Sequence, residues 1–223
     1  MTKSYRGKSV LNVDELTLLA GRLYILMGAN GSGKSTLLNI LAFLMRPDGG
    51  DIVFEGEPVT WKKPELNALR RRVTLLHQFP YLFGGTVFSN VAFGLKLRDV
   101  AGEKLQQAVA DSLALVGLSG FEERHVRQLS GGEGRRVAIA RALAIAPHIL
   151  LLDEPLANVD EDSARVIESL IASLPGRGIT VVMSTHDLHQ GDRMEATTIR
   201  LCNGRLDLPK RTLHGFSWEM LDG

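Results

Sequence analysis

Gly28-Ala29-Asn30-Gly31-Ser32-Gly33-Lys34-Ser35-Thr36 lies between an apolar segment, Leu23 to Met27, and an apolar stretch with helical spacing. Strand, glycine-rich loop and helix in that order make a P-loop arrangement. Glycines at 28, 31 and 33 are expected to turn with positive φ and to aim several backbone N–H groups at oxygen anions. Lys34 then serves as a point charge for the β- and γ-phosphates and Ser35 offers its hydroxyl to Mg²⁺. Asn30, Ser32 and Thr36 complete the cradle, and the helix N-terminus adds partial positive charge. A nucleoside triphosphate is the ligand such a loop takes; a glycine-rich turn before an ordinary helix is the plainer alternative.

The 223 residues, 44% of them hydrophobic, suffice for a substantial core in one domain or a closely joined pair. A net charge of +1 gives no global attraction to nucleic acid or to an anionic membrane. The single cysteine, Cys202, excludes an internal disulfide, and the first residues lack the apolar stretch of a secretory signal, so a cytosolic location is expected. The longest apolar stretch, Val137 to Leu152, is interrupted by Arg141, Pro147 and His148. Any membrane span must therefore come from a partner.

Short apolar segments alternate with helix-like ones, which predicts an α/β fold with a mostly parallel sheet covered by helices. Leu23 to Met27, Val73 to Leu76, Ile149 to Leu152 and Ile179 to Ser184 read as strands, the last two as central ones. Leu37, Leu38, Ile40, Leu41, Leu44 and Met45 line the helix after the loop, which is expected to stop at Arg46-Pro47-Asp48-Gly49-Gly50. Val10 to Leu19, and Ile52 to Phe54 with a Glu55-Gly56 turn, predict short antiparallel strands of a β-subdomain. From Tyr81 to Leu129 the strand signal fades, and Leu105, Val109, Leu113 and Val116 keep helical spacing. The tail carries an Asn203-Gly204 hairpin signal and then Phe216, Trp218, Met220 and Leu221, too few residues for another domain. The expectation is one domain over 1–223: a nucleotide-binding core at about 1–80 and 140–223, and a helical subdomain at about 81–139.

Leu129-Ser130-Gly131-Gly132-Glu133 opens a second informative helix. A capping box explains Ser130 and Glu133. It leaves unexplained two glycines in the first turn, each costing up to ~1 kcal/mol of helix propensity. Bare backbone at a helix N-terminus suits an anion. This stretch resembles the signature motif of the ATP-binding cassette family, whose usual form ends in Gln rather than Glu. The family's other motifs follow in order along nearly the whole chain. Gln78 resembles the Q-loop, Ile149 to Glu154 the Walker B strand with its added glutamate, Asn158-Val159-Asp160 the D-loop and His186 the switch histidine. Tyr5, followed by Val10-Leu11, matches the aromatic that stacks on adenine.

The resemblance implies ATP with Mg²⁺ held through Ser35, Gln78 and Asp153. It implies catalysis by Glu154 as acceptor of a proton from the attacking water, with His186 at the γ-phosphate and Gln78 touching metal and water. Ser130, Gly131, Gly132, Glu133 and Asp160 would meet nucleotide bound to a second chain, so a head-to-tail homodimer, or a pair with another cassette subunit, is implied. Phe79, Tyr81, Phe83, Phe88 and Phe93 fall where importers of this family receive a helix of the membrane subunit. The stretch Gln78 to Leu95 is similar to cassettes of prokaryotic importers for oxyanions such as tungstate, molybdate or phosphate. Permease subunits, an extracytoplasmic solute-binding protein and a place on the cytoplasmic face of the membrane follow from that likeness; nucleic acid does not. No added C-terminal sensor domain is expected. Chromosome-structuring ATPases are rejected because no long coiled coil separates Lys34 from Ser130, and two-cassette translation factors because only one motif set is present. A soluble cassette serving iron–sulfur assembly stays open as the alternative.

Overall fold

The computed structural model describes residues 1–187 and 189–207, together with the backbone of a strand at Ser217–Glu219. The chain divides into two compact units, one comprising 1–75, 148–154 and 174–223, the other 76–147 and 155–173.

Strands β1 (Thr2–Tyr5), β2 (Lys8–Asn12), β3 (Leu18–Leu19), β4 (Leu23–Met27), β5 (Val53–Phe54), β6 (Glu57–Pro58), β7 (Val73–Leu76), β8 (Ile149–Asp153), β9 (Thr180–Thr185), β10 (Thr197–Cys202), β11 (Arg205–Asp207) and β12 (Ser217–Glu219) make three sheets. Helices α1 (Lys34–Leu41) and α2 (Lys63–Arg72) belong to the first unit. The second unit holds α3 (Val87–Lys96), α4 (Gly102–Leu115), α5 (Gly131–Ala144) and α6 (Glu161–Ser173), and a single turn, α7 (Gln190–Arg193), follows in the first. The main sheet runs β11-β10-β4-β9-β8-β7, with β10, β4, β9 and β8 mutually parallel. Every residue of β4, β8 and β9 is buried, as their uninterrupted apolar runs require of strands covered on both faces. Both β8 and β9 extend one residue beyond the apolar run, to Asp153 and Thr185. β11 returns antiparallel through Asn203-Gly204, whose φ of 49° and 77° are those of the hairpin turn this dipeptide favours.

Two sequence expectations are corrected. The helix after the loop ends at Leu41, before Leu44 and Met45, and Leu44 is 52% exposed. Phe43 stops it: with φ 57° its ring is fully buried edge-on to Phe54 at 5.6 Å and Trp61 at 6.3 Å. Its carbonyl accepts from Arg70 at 2.7 and 3.1 Å. Burial of one large ring outweighs the continuing helical period. The β-subdomain is likewise only partly antiparallel. β1–β2 and β5–β6 are hairpins, but β12 lies between β3 and β5 and is parallel to both. Phe216, Met220 and Leu221 lie outside the described residues, and Trp218 is described only as backbone within β12.

β1 is pinned rather than frayed. The Met1 ammonium donates to Val13 O at 2.6 Å, and Asp48 accepts from Lys3 Nζ and Ser4 N, both at 2.7 Å. Those bonds, Lys3 foremost, hold the Asp48 carboxyl below the usual carboxylate range.

In the second unit α3 and α4 pack against α5. The predicted stripe Leu105, Val109, Leu113 and Val116 is buried, as are Val137, Ile139, Ala140 and Leu143 of α5. Among the described residues no helix is long and apolar enough to cross a membrane.

Candidate functional site: a phosphate loop, a strand-end carboxylate pair and a separate serine-capped helix

In the first unit the loop after β4 runs directly into α1. Gly31 and Gly33 have φ of 79° and 106°, the left-handed region glycine enters freely. Gly28 is corrected: it is not in that region, and its constraint is space. A Cβ there would sit 2.3 Å from Leu201 O and 2.6 Å from Ser32 Oγ. Behind the loop, Gly204 N donates to Ser32 O at 2.9 Å, and a Cβ on Gly33 would strike Leu11 and Val10 of β2 at 2.8 and 2.9 Å. The strand β10 and its turn therefore wall the loop from below, and β2 from the side.

Lys34 is 6% exposed, and its Nζ donates to Gly28 O at 2.7 Å and Ala29 O at 3.3 Å. Glu154 Oε1 lies 3.8 Å from that ammonium and Oε2 lies 3.5 Å from His186 Nδ1. Glu154 takes φ 45°, a left-handed conformation for a residue with a side chain; such strain persists only where neighbours enforce it. Its N–H donates to Ser184 Oγ at 2.9 Å, and the same hydroxyl donates to Asp153 Oδ1 at 2.6 Å. Ser184 thus bonds both members of the carboxylate pair, Asp153 through its side chain and Glu154 through its backbone. The His186 turn is held by Asp187, whose N–H donates to Thr185 Oγ1 at 3.0 Å and whose carboxylate accepts from His189 N and Arg193 Nη2. Those donors keep the Asp187 carboxyl below its ordinary value.

The residues fit a nucleoside triphosphate on two observations. Ser32 Oγ is buried without a hydrogen-bond partner, and at Gly31 nothing lies within 4 Å of where a Cβ would be, so the loop backbone there stands open to a ligand. No group of three His, Cys, Asp or Glu among the described residues could by itself hold a metal. Mg²⁺ carried by a nucleotide takes one or two protein ligands and completes its shell from phosphate and water; exposed Ser35 and buried Asp153 are the candidates. Asn30 is exposed and Thr36 half-buried beside them. Tyr5 is 43% exposed, stands over Lys3 Nζ at 5.9 Å and approaches Met45 Sδ through its hydroxyl at 2.9 Å.

The second unit carries Gln78, Ser130 to Glu133 and Asp160. Ser130 caps α5 as predicted: its Oγ accepts from Glu133 N at 3.1 Å and Glu133 Oε2 accepts from Ser130 N at 2.8 Å. The two glycines differ in what requires them. Gly131 has nothing within 4 Å of a Cβ, whereas a Cβ on Gly132 would lie 2.1 Å from Asp160 Oδ2 and 2.2 Å from Ser163 Oγ. Asp160 in turn accepts from Ser163 N at 2.8 Å at the start of α6, the largest cause of its lowered carboxyl pKa. Gly132→Ala is accordingly expected to destabilise the protein on the order of 1–3 kcal/mol by overpacking, and Gly131→Ala by much less, in urea unfolding of the two variants. Equal losses would contradict the difference in packing.

Sequence reasoning missed Ser184, Arg135 and the pairing of Gly28 with Leu201. Ser184 left one signal, a hydroxyl following the apolar run Val181 to Met183 near the end of its strand. The other two depend on the fold and left none.

Fold and site together define a P-loop nucleotide-binding domain, and the comparisons give the family. The ABC transporter family profile matches residues 11–157. A tungstate uptake system ATP-binding protein, TupC, of Peptoclostridium acidaminophilum is 37% identical over 207 residues, covering 92% of this chain and 94% of that protein. An Archaeoglobus fulgidus relative with a provisional ABC transporter ATP-binding name is 43% identical over 82% of the chain, which spans 63% of its length. The dimeric ATP-binding cassette MJ0796, solved in a post-hydrolysis state with ADP and Pi, superposes with a TM-score of 0.81 at 32% identity, covering 93% of this chain and 94% of that one. The chain belongs to the ABC transporter family, as one of its ATP-binding ATPase domains.

Proposed function

We propose that this chain is the ATP-hydrolysing subunit of a prokaryotic ABC importer, working in pairs on the cytoplasmic face of the membrane, with an oxyanion such as tungstate as its class of cargo. The observation that carries the reading is the Glu154 carboxylate at the end of parallel strand β8, with Lys34 on one side at 3.8 Å and His186 on the other at 3.5 Å. Carboxyl ends of parallel strands are where such sheets bind their ligands.

Lys34 and the loop N–H groups hold the β- and γ-phosphates. Ser35 and Asp153 hold Mg²⁺, which when bound neutralises charge on the phosphate oxygens; Gln78 is assigned to the same ion by its motif. Glu154 accepts a proton from the attacking water, and His186 hydrogen-bonds the γ-phosphate. Tyr5 stacks on the base. Ser130, Gly131, Gly132, Glu133 and Asp160 face the nucleotide held by the second copy.

The transport part is supported by a surface of the second unit. Phe79 and Tyr81 are 72% and 73% exposed, and Phe83 and Phe93 pack with tilted rings 4.6 Å apart while still substantially exposed. Buried Asn90 bonds the Phe83 backbone on both sides, and Arg141 donates to Tyr81 O at 2.7 Å. Aromatics presented this rigidly suit a protein partner. The tungstate assignment rests on the relative's name, and a solute-binding protein completes the proposed system.

Affinity purification of the tagged chain from detergent-solubilised native membranes tests the reading. Recovery of an integral membrane protein, lost on Phe79→Ser with Tyr81→Ser, is the expected result. Recovery of soluble iron–sulfur assembly proteins instead would replace transport with the alternative.

A further inference from the structure

Arg135, one turn into α5, is 7% exposed, yet among the described residues no carboxylate pairs with it. Its guanidinium donates to two main-chain oxygens only, Nη1 to Gln78 O and Nη2 to Ala157 O at 3.2 Å. Burial pushes its pKa below the ordinary arginine value, the sign of a cation taken out of water without a compensating anion. An apolar side chain of similar length would fill the same space without that desolvation cost. What it could not supply is a planar fork whose two arms bond separate acceptors in fixed geometry.

The two acceptors come from loops far apart in sequence. One follows β7 and carries Gln78; the other follows β8 and carries Asn158 and Asp160. Asn158 itself has φ 57°, so the second loop is conformationally strained where it is held. One turn earlier on the same helix, Gly132 gives Asp160 the room it occupies. In the first two turns of α5, Arg135 thus bonds both the 157–160 loop and the Gln78 loop, while Gly132 leaves the space that Asp160 occupies.

We propose that Arg135 is a positioning residue that ties the Gln78 loop and the Ala157–Asp160 loop to α5, so that the two loops are ordered and released together. Its bearing on turnover rests on the function proposed above; the tie itself does not.

Hydrogen exchange on the full chain, with steady-state ATPase in parallel, tests this. In Arg135→Met, amides at 77–79 and 156–160 are expected to lose protection together while those at 137–143 keep theirs. Turnover is expected to fall about 10- to 100-fold, the usual effect of removing a group that orients site residues, with KM for ATP unchanged. Arg135→Lys keeps the charge but replaces the fork by one ammonium. It is expected to fold and to protect one loop, recovering only part of the turnover, and it decides the matter if Arg135→Met does not fold. Unchanged protection in both loops of either variant, or a loss spread evenly through α5, would overturn the proposal. A wild-type chain that binds ATP without hydrolysing it would count against the proposed function and leave the exchange result to judge the tie.

Discussion

Replacing Glu154 by Gln is expected to lower ATP turnover about 10²–10⁴-fold, the range for losing a general base, while nucleotide binding is retained. The amide keeps the shape of the carboxylate, and the strained φ of 45° is enforced by the backbone bond to Ser184 Oγ, which the substitution does not touch. The change therefore removes proton acceptance and leaves the site standing. If the chain works in pairs as proposed, with hydrolysis loosening the closed pair, the ATP-loaded variant should sediment as a dimer and the ADP-loaded one as a monomer. Single-turnover kinetics and sedimentation velocity check the two halves separately. Turnover at the wild-type rate would remove Glu154 from its role, and a strictly monomeric ATP-loaded variant would remove the second copy from the site.

Lys34→Ala is expected to act earlier, on binding. Its ammonium is nearly buried and bonded to the carbonyls of Gly28 and Ala29, so the loop holds it in the place the proposed function gives to phosphate oxygens. Hydrogen bonds to charged groups contribute about 1.5–3 kcal/mol each. Losing those to two phosphates weakens Kd for ATP on the order of 10²-fold or more. Titration calorimetry of the variant with ATP is the measurement, and an unchanged affinity would refute the phosphate assignment. The pair of variants separates two jobs that lie 3.8 Å apart: one traps nucleotide, the other fails to take it up.

The features read from sequence share one property: their cause is local. β4, β8 and β9 are legible because each apolar run states its own burial. The Ser130–Glu133 box is legible because donor and acceptor are three residues apart, and the Asn203-Gly204 hairpin because the turn needs only its own two residues. The features missed or misjudged have causes elsewhere in the chain. Gly28 looks like a flexible hinge until Leu201 O is found where its Cβ would be. Gly132 looks like bare backbone for an anion, but it is also the seat of Asp160. The end of α1 at Leu41 follows from a pocket made by Phe54 and Trp61, which no helical period of residues 37–45 contains. Arg135 reads as one more cation on a helix, and only its burial between two carbonyls distinguishes it.

The wall behind the glycine loop has a consequence for how the molecule comes into being. Leu201 and Gly204, which bound the loop at Gly28 and Ser32, are made long after it during N-to-C synthesis. A nascent chain that has released only β4 and α1 from the ribosome holds the right glycines and lysine but lacks the segments that pack behind them. High sequence separation of this kind is closed late, after the entropy of a long loop has been spent. Competence to take up nucleotide is therefore expected late in folding, and a fragment that carries the glycine-lysine stretch but ends before Leu201 is expected to bind ATP more weakly than the full chain.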